Sequence, residues 1–127
     1  MDVWIYFQRK EVEFRRFGLV PERERYDADP NSDGTEGLVE VILPLTNNAY
    51  LKVYELVEVV DRRYIRRFQY AYVLIIDRAH AHSWELDPTH YEMPVHEHVG
   101  PLRVRREAQP VSFKQALLVC WKLVSSR

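Results

Sequence analysis

The short connections in the middle of this chain constrain its fold more than any other feature of the sequence. Segments rich in β-branched and aromatic residues fill positions 38–86 and are interrupted only by breaks of two to four residues. Parallel strands need a crossover of about a dozen residues or more, so breaks this short join antiparallel neighbours. The pattern therefore predicts an antiparallel meander, with strands at 38–45, 50–60, 64–77 and 80–86. Asn47 and Asn48 suit the first turn because asparagine tolerates left-handed backbone.

Both ends of the chain carry helical patterns. Apolar residues recur at helical spacing from residue 2 to residue 17, and Gly18 is placed to end this helix. Near the other end, Ser112 and Gln115 form a capping-box pair at the start of a second helix. Its apolar stripe consists of Phe113, Ala116, Leu117, Cys120 and Val124. Residues 19–27 are predicted to form a first strand, although they contain few apolar side chains. Residues 27–37 have the composition of an exposed loop.

These elements predict an α+β fold in a single domain over residues 1–127. We expect a curved antiparallel β-meander with an N-terminal and a C-terminal helix packed on the sheet. An amphipathic helix is stable only when its apolar stripe is covered, so Phe113, Leu117 and Cys120 are predicted to be buried. Trp84 is predicted to lie on the sheet face that meets the C-terminal helix.

The composition excludes several classes of protein. A hydrophobic fraction of 46% and an aromatic fraction of 13% are typical of a folded chain and not of a disordered one. Cys120 is the single cysteine, which excludes a disulfide framework and a cysteine-based zinc module. No apolar run approaches the roughly 20 residues that span a bilayer, and residues 1–17 lack the features of a secretory signal. We therefore expect a cytoplasmic protein without membrane association.

The two halves of the chain differ in charge. Residues 1–60 hold twelve acidic and seven basic residues, whereas residues 61–127 hold seven acidic and eleven basic residues. Clustered arginines suit phosphate because the guanidinium group binds two oxygens at once, although many charge runs are only solvated surface. The predicted substrate-binding arginines are Arg66, Arg67, Arg103, Arg105 and Arg106.

All five histidines lie in the basic half, between His80 and His98. The unperturbed pKa of histidine lies near neutrality, so its side chain exchanges protons readily. His96 and His98 lie between a proline and a glycine in an irregular stretch, and their spacing places both imidazoles on one side of an extended segment. Two imidazoles facing one phosphate can cleave RNA without a metal: one removes the 2′-hydroxyl proton and the other protonates the leaving oxygen. We predict His96 and His98 as this acid–base pair and His90 as an orienting or substrate-binding group, with no cofactor.

Two tyrosines complete the predicted site. Tyr70 and Tyr72 lie on the predicted strand 64–77, which a meander is expected to bring close to the histidines. We predict Tyr70 as a catalytic residue that stabilises charge in the transition state and Tyr72 as a substrate-binding residue.

Other interpretations of the histidines stay open. A metal-dependent nuclease could draw nitrogen and oxygen ligands from the histidine segment, although no fixed metal-binding spacing is present. Its predicted ligands are His90, His96, His98, Glu92 and Asp87. A solvated polar loop is the structural alternative. His80 and His82 are expected on one strand face with Trp84, where packing is the favoured role.

Several motifs in chain order resemble a known family. They include AYLKVYELVEVV from Ala49, with Glu55, and RRFQYAYVL from Arg66, with Tyr70 and Tyr72. They continue with WELDPTHYE from Trp84, HEHVG from His96 and SFKQAL from Ser112. Together these motifs resemble the TumE-type family of small toxin–antitoxin proteins over residues 20–125. The chain departs from the family pattern at Tyr91, where the family has proline, and at Glu97, the middle position of a histidine triplet.

The resemblance implies a toxin that acts on RNA and is paired with a small DNA-binding antitoxin. A homodimer is also compatible with the sequence. The alternative class is a non-catalytic interaction module, in which an open sheet edge accepts a strand from a partner protein.

Overall fold

The strands of this protein pair in the order in which they occur in the chain. In the computed structural model, which describes residues 1–126, two helices accompany one seven-stranded sheet. Every strand is antiparallel to its neighbours, in the order β1 to β7. The elements are α1 (Val3–Arg16), β1 (Arg23–Ala28), β2 (Glu36–Thr46), β3 (Ala49–Val60), β4 (Tyr64–Ile76), β5 (Ala79–Leu86), β6 (Val95–Val99), β7 (Val104–Glu107) and α2 (Phe113–Ser125). The predicted α+β class and the antiparallel meander are confirmed.

Tight turns set this topology. Asp77 and Arg78 connect β4 to β5 with φ angles of 52° and 65°, the left-handed pair that matches the twist of a two-residue hairpin. The turn predicted at residues 46–48 does join β2 to β3, but neither Asn47 nor Asn48 uses the left-handed backbone that asparagine tolerates. Asn48 acts through its side chain instead, since its Nδ2 atom donates to Asp77 Oδ1 over 2.6 Å and ties two neighbouring turns together.

Both helices cover the same face of the sheet. Phe14 of α1 and Phe113 of α2 meet edge to face, with ring centroids 5.0 Å apart, and Phe113 also contacts Tyr72 of β4. Phe113, Leu117 and Cys120 are buried, as is Trp84 on β5, so the predicted burial of these residues is confirmed. We call this side of the sheet the helix face and the other side the open face.

The irregular stretch predicted at residues 90–100 contains β6, and β7 follows it as a second unpredicted strand. Both strands are short, and both carry charged or imidazole side chains on the two sides of the sheet. Hydrophobic alternation therefore gave no signal for either strand. Their pairing places His96 and His98 at defined sheet positions instead of on a loop.

Candidate functional site

Strand register carries three polar side chains to one point on the open face. His96 on β6 pairs with Glu85 on β5, and His98 pairs with Ser83. The next row on the helix face pairs Trp84 with Glu97. Because side chains alternate across a strand, Glu85, His96 and His98 all project to the open face. We call these three residues the Glu85 triad.

The triad converges on a single oxygen atom. His96 Nε2 lies 2.8 Å and His98 Nε2 lies 2.9 Å from the same Glu85 Oε2. One ligand atom from each residue lies within 4.8 Å of the other two. His96 is only 2% exposed, whereas the side chains of Glu85 and His98 keep 23% and 18% of their surface. The site is therefore built into the sheet but is reached from solvent on the side of Glu85 and His98.

Backbone carbonyls set the tautomers of the two histidines. His96 Nδ1 lies 3.0 Å from the carbonyl oxygen of Met93, and His98 Nδ1 lies 3.1 Å from that of Arg103. A carbonyl accepts hydrogen bonds, so Nδ1 carries the proton in both rings. In the neutral rings, each Nε2 then points its lone pair at a carboxylate oxygen, which is repulsive. A proton on each Nε2 or a cation between the three atoms removes this repulsion.

A third histidine borders the triad. The ring of His90 lies 5.4 Å from that of His96, and its Nε2 is 3.3 Å from Asp87 Oδ2. Arg105, the cross-strand partner of His98, donates from a guanidinium nitrogen to His90 Nδ1 over 3.4 Å. Hydrogen bonds from Thr89 lower the pKa of Asp87, so the Asp87 carboxylate is ionised beside His90. The structure thus brings together His90, His96, His98 and Arg105 among the predicted site residues.

His80 and His82 do not share a strand face, contrary to the prediction. A bulge in β5 shifts the register, so that His82 pairs with Leu74 but His80 pairs with Ile75. His82 therefore stacks on Trp84 at 4.4 Å on the helix face. His80 lies on the open face, 2.7 Å from the Gly100 carbonyl oxygen through Nδ1.

On the helix face, Glu97 joins two basic side chains. Its carboxylate lies 2.5 Å from His82 Nε2 and accepts from Arg106 Nε, also over 2.5 Å. Partial burial raises the pKa of Glu97, but the hydrogen bonds from His82 and Arg106 outweigh it and lower the pKa overall. Arg106 is therefore bound to Glu97 on the face opposite the triad, while Arg103 contributes its carbonyl to His98.

The predicted tyrosines lie on the helix face, so the sheet separates them from the triad. The buried Glu55 carboxylate accepts hydrogen bonds from the hydroxyls of Tyr6 and Tyr72 and from Lys10 Nζ, the last over 3.2 Å. Burial and the neighbouring Glu55 raise the pKa of Tyr6 and Tyr72 well above the ordinary value, so both hydroxyls stay protonated and donate. Tyr70 stacks on Tyr72 at 5.0 Å.

The arginines predicted on β4 are also engaged away from the triad. Arg67 donates to the Tyr72 hydroxyl over 2.7 Å and to the Val111 carbonyl over 2.8 Å. Arg66 donates to Glu58 on β3 through Nε over 2.8 Å. The expected meeting of these side chains with the histidines does not occur, because β5 lies between β4 and β6. Alternation directs Tyr70 and Tyr72 to the helix face, and a bulge in β4 turns Arg67 to the same face.

Sequence reasoning missed Glu85. A signal was present, because Ser83 and Glu85 alternate with Trp84 and Leu86 and so had to face away from the apolar side of β5. Only the pairing of β5 with the unpredicted β6 shows that Glu85 faces the histidines.

Comparison with known proteins adds no relative. No family model matches the chain, and neither the curated proteins nor the solved structures contain a match. Among residues 1–126, no helix has the length and apolar character needed to cross a membrane.

Proposed function

We propose that the Glu85 triad binds a divalent transition-metal ion and that the protein is a metal-dependent nuclease. The observation that carries this proposal is the convergence of His96 Nε2, His98 Nε2 and Glu85 Oε2 within 4.8 Å. Two imidazoles and one carboxylate form a common ligand set of catalytic zinc sites, which leave a position for water or substrate. This ligand set differs from the metal ligands predicted from sequence by including Glu85.

The outer contacts of the histidines support a metal site. Metal-bound imidazoles usually donate their second N–H to a carbonyl or carboxylate, which orients the ring. His96 and His98 both make this contact, with the carbonyls of Met93 and Arg103. A bound cation would replace the repulsion among the two lone pairs and the carboxylate oxygen by three attractive contacts.

The surroundings favour a phosphodiester as substrate. Arg105 and His90 border the triad and can bind phosphate oxygens on the side that is open to solvent. A zinc ion held by the triad would lower the pKa of a bound water to about 7 and so supply a nucleophile at neutral pH. Hydrolysis adds one water across a P–O bond and yields a phosphate monoester and an alcohol. RNA as the substrate, the toxin role and the antitoxin partner are proposals that the resemblance to TumE-type proteins motivates.

Metal-free cleavage by His96 and His98 is the second candidate, favoured by their common face and by a ring separation of 5.1 Å. It is weaker because an acid–base pair must reach the substrate with both rings, and His96 is 2% exposed. The Glu85 carboxylate also occupies the space between the two Nε2 atoms.

Calorimetric titration with Zn²⁺ and Mn²⁺, after treatment of the protein with chelator, tests the metal site. We expect Glu85→Gln to raise the Kd by about 100-fold or more, because loss of a ligand should exceed the 10–100-fold effect of losing an outer contact. Glu92→Gln is the matched control: it makes the same change at an exposed carboxylate that was a predicted ligand. Equal Kd values for the two variants would refute the metal site.

Cleavage of a short RNA tests the activity. We expect cleavage to stop in chelator and to return when the metal is restored. Cleavage that persists in chelator and depends on His96 and His98 would instead establish the metal-free candidate. Absence of cleavage under both conditions, with the metal bound, would favour the interaction module.

A further inference from the structure

A concavity adjoins the Glu85 triad on the connection between β5 and β6. It has a volume of about 420 Å³, within the range that small ligands occupy. Its walls are formed by Thr89, His90, Tyr91, Glu92, Met93 and Arg105. Three of these residues also contact the triad histidines or pair with them: Met93 through its carbonyl, His90 through its ring and Arg105 through strand pairing. A ligand in this concavity therefore lies next to the proposed metal.

Tyr91 supplies an unusual surface for this concavity. It is 93% exposed, the highest exposure among the large apolar and aromatic residues of the described chain, and it lies four positions before the strand that carries His96. A single exposed aromatic residue is ordinary on a protein surface. Here, however, Tyr91 lines a concavity together with the thioether of Met93, the imidazole of His90 and the guanidinium group of Arg105. These groups together suit a ligand in which a flat ring is joined to an anionic group.

We propose that this concavity binds one unpaired nucleotide of a single-stranded nucleic acid, with its base stacked on Tyr91 and its phosphate on Arg105. This inference rests on the proposed nuclease function, since it assigns the strand that the triad would cleave. Stacking on an aromatic side chain requires an unpaired base, because the faces of paired bases are covered by their neighbours. Glu92 adds an acceptor for the exocyclic amino group of a base.

The phosphate position follows from the location of Arg105. Its cross-strand partner is His98, and its guanidinium group is 3.4 Å from His90 Nδ1. A phosphate held by Arg105 would therefore lie beside the triad while the base occupies the concavity. This arrangement would place the phosphodiester, and not the base, at the proposed metal.

Fluorescence anisotropy of a labelled ten-nucleotide strand tests the inference. The titration is done in excess chelator, so that binding is measured without cleavage and without the proposed metal. We expect Tyr91→Ala to raise the Kd roughly 5- to 150-fold, the range that corresponds to loss of one base–aromatic stack. Tyr91→Phe keeps the ring and should bind as the unchanged protein does. Tyr64→Ala is the matched control, since Tyr64 is also exposed, at the start of β4.

Two further measurements sharpen the test. The same sequence annealed to its complement should bind much more weakly, and Arg105→Gln should reduce the slope of log Kd against log salt by about 0.7. Ribose and deoxyribose versions of the strand identify the sugar, and tight binding of either one supports the inference. Unchanged affinity in Tyr91→Ala, equal loss in Tyr91→Phe, or equal binding of duplex and single strand would overturn it. Because metal titration is a separate experiment, failure of the metal site and failure of the stacking site are distinguishable.

Discussion

The buried Glu55 cluster gives the sharpest stability prediction of this structure. Glu55 is fully buried and accepts from three donors, the hydroxyls of Tyr6 and Tyr72 and the ammonium group of Lys10, which is itself only 6% exposed. Glu55→Gln keeps the shape of the side chain but replaces one acceptor oxygen with a donor. At least one of the three donors then loses its acceptor, and Lys10 loses its closest counter-charge.

The expected cost follows from these contacts. Removing one partner of a buried ion pair costs about 3–5 kcal/mol, and a buried donor without an acceptor costs about 1–3 kcal/mol. The two effects overlap because they concern the same atoms, so we expect a total of about 3–5 kcal/mol. At roughly 4 °C per kcal/mol for a chain of this size, the melting temperature should fall by about 12–20 °C.

Urea unfolding followed by tryptophan fluorescence measures this cost. Glu13→Gln is the control, because Glu13 also faces Lys10, at 3.8 Å, but its side chain is 38% exposed. It should change the free energy of unfolding by less than about 1 kcal/mol. The double variant Glu55→Gln with Lys10→Met removes both charges and should be more stable than Glu55→Gln alone. A Glu55→Gln variant within about 1 kcal/mol of the unchanged protein would refute the reasoning, and so would a double variant less stable than the single one.

Three further predictions concern the core and its titrating groups. Leu117→Ala should lower the free energy of unfolding by about 2–5 kcal/mol, because Leu117 is fully buried. Leu118→Ala, on the exposed side of the same helix, should lower it by less than about 1 kcal/mol. Similar losses in the two variants would contradict the packing of α2. Because the pKa of Glu97 is lowered in the folded protein, its carboxylate contributes its full stabilisation above pH 4.5, the ordinary pKa of glutamate. This stabilisation is lost as the pH falls through the pKa of Glu97 in the folded state. The free energy of unfolding of Glu97→Gln should therefore fall less between pH 6 and pH 3 than that of the unchanged protein. Urea titrations across this range that show the same fall for both proteins would disprove the assignment. Burial raises the pKa of Cys120 to about 12, so a thiol reagent at pH 8 should modify it only after unfolding; rapid labelling of the native protein would show that the core is open there.

Local patterns predicted most of the elements, because each pattern is recorded in neighbouring residues. The capping pair Ser112 and Gln115 marks the start of α2 in both sequence and structure, with both reciprocal hydrogen bonds formed. Gly18 has a φ of 70° directly after Phe17, the C-cap of α1, as its position predicted. The strands β2 to β5 lie within two residues of their predicted limits, since their apolar alternation is strong.

The site was only half predictable for a physical reason. The grouping of His90, His96 and His98 was visible because these residues are close in the chain. Which face they share, and with which partners, depends on strand pairing and bulges, which a local pattern does not record.

The sequence by itself therefore determined both helices, the strands β2 to β5 with their antiparallel order, and the region of the site. Tertiary structure decided the composition of the site: it brought Glu85 of β5 to the two histidines and turned Tyr70, Tyr72 and Arg67 to the opposite face. The physical reason is the two-residue period of a strand, in which a shift of one position reverses the face of every side chain. A bulge of one residue in β5 accordingly separated His80 from His82, although the two are neighbours by spacing.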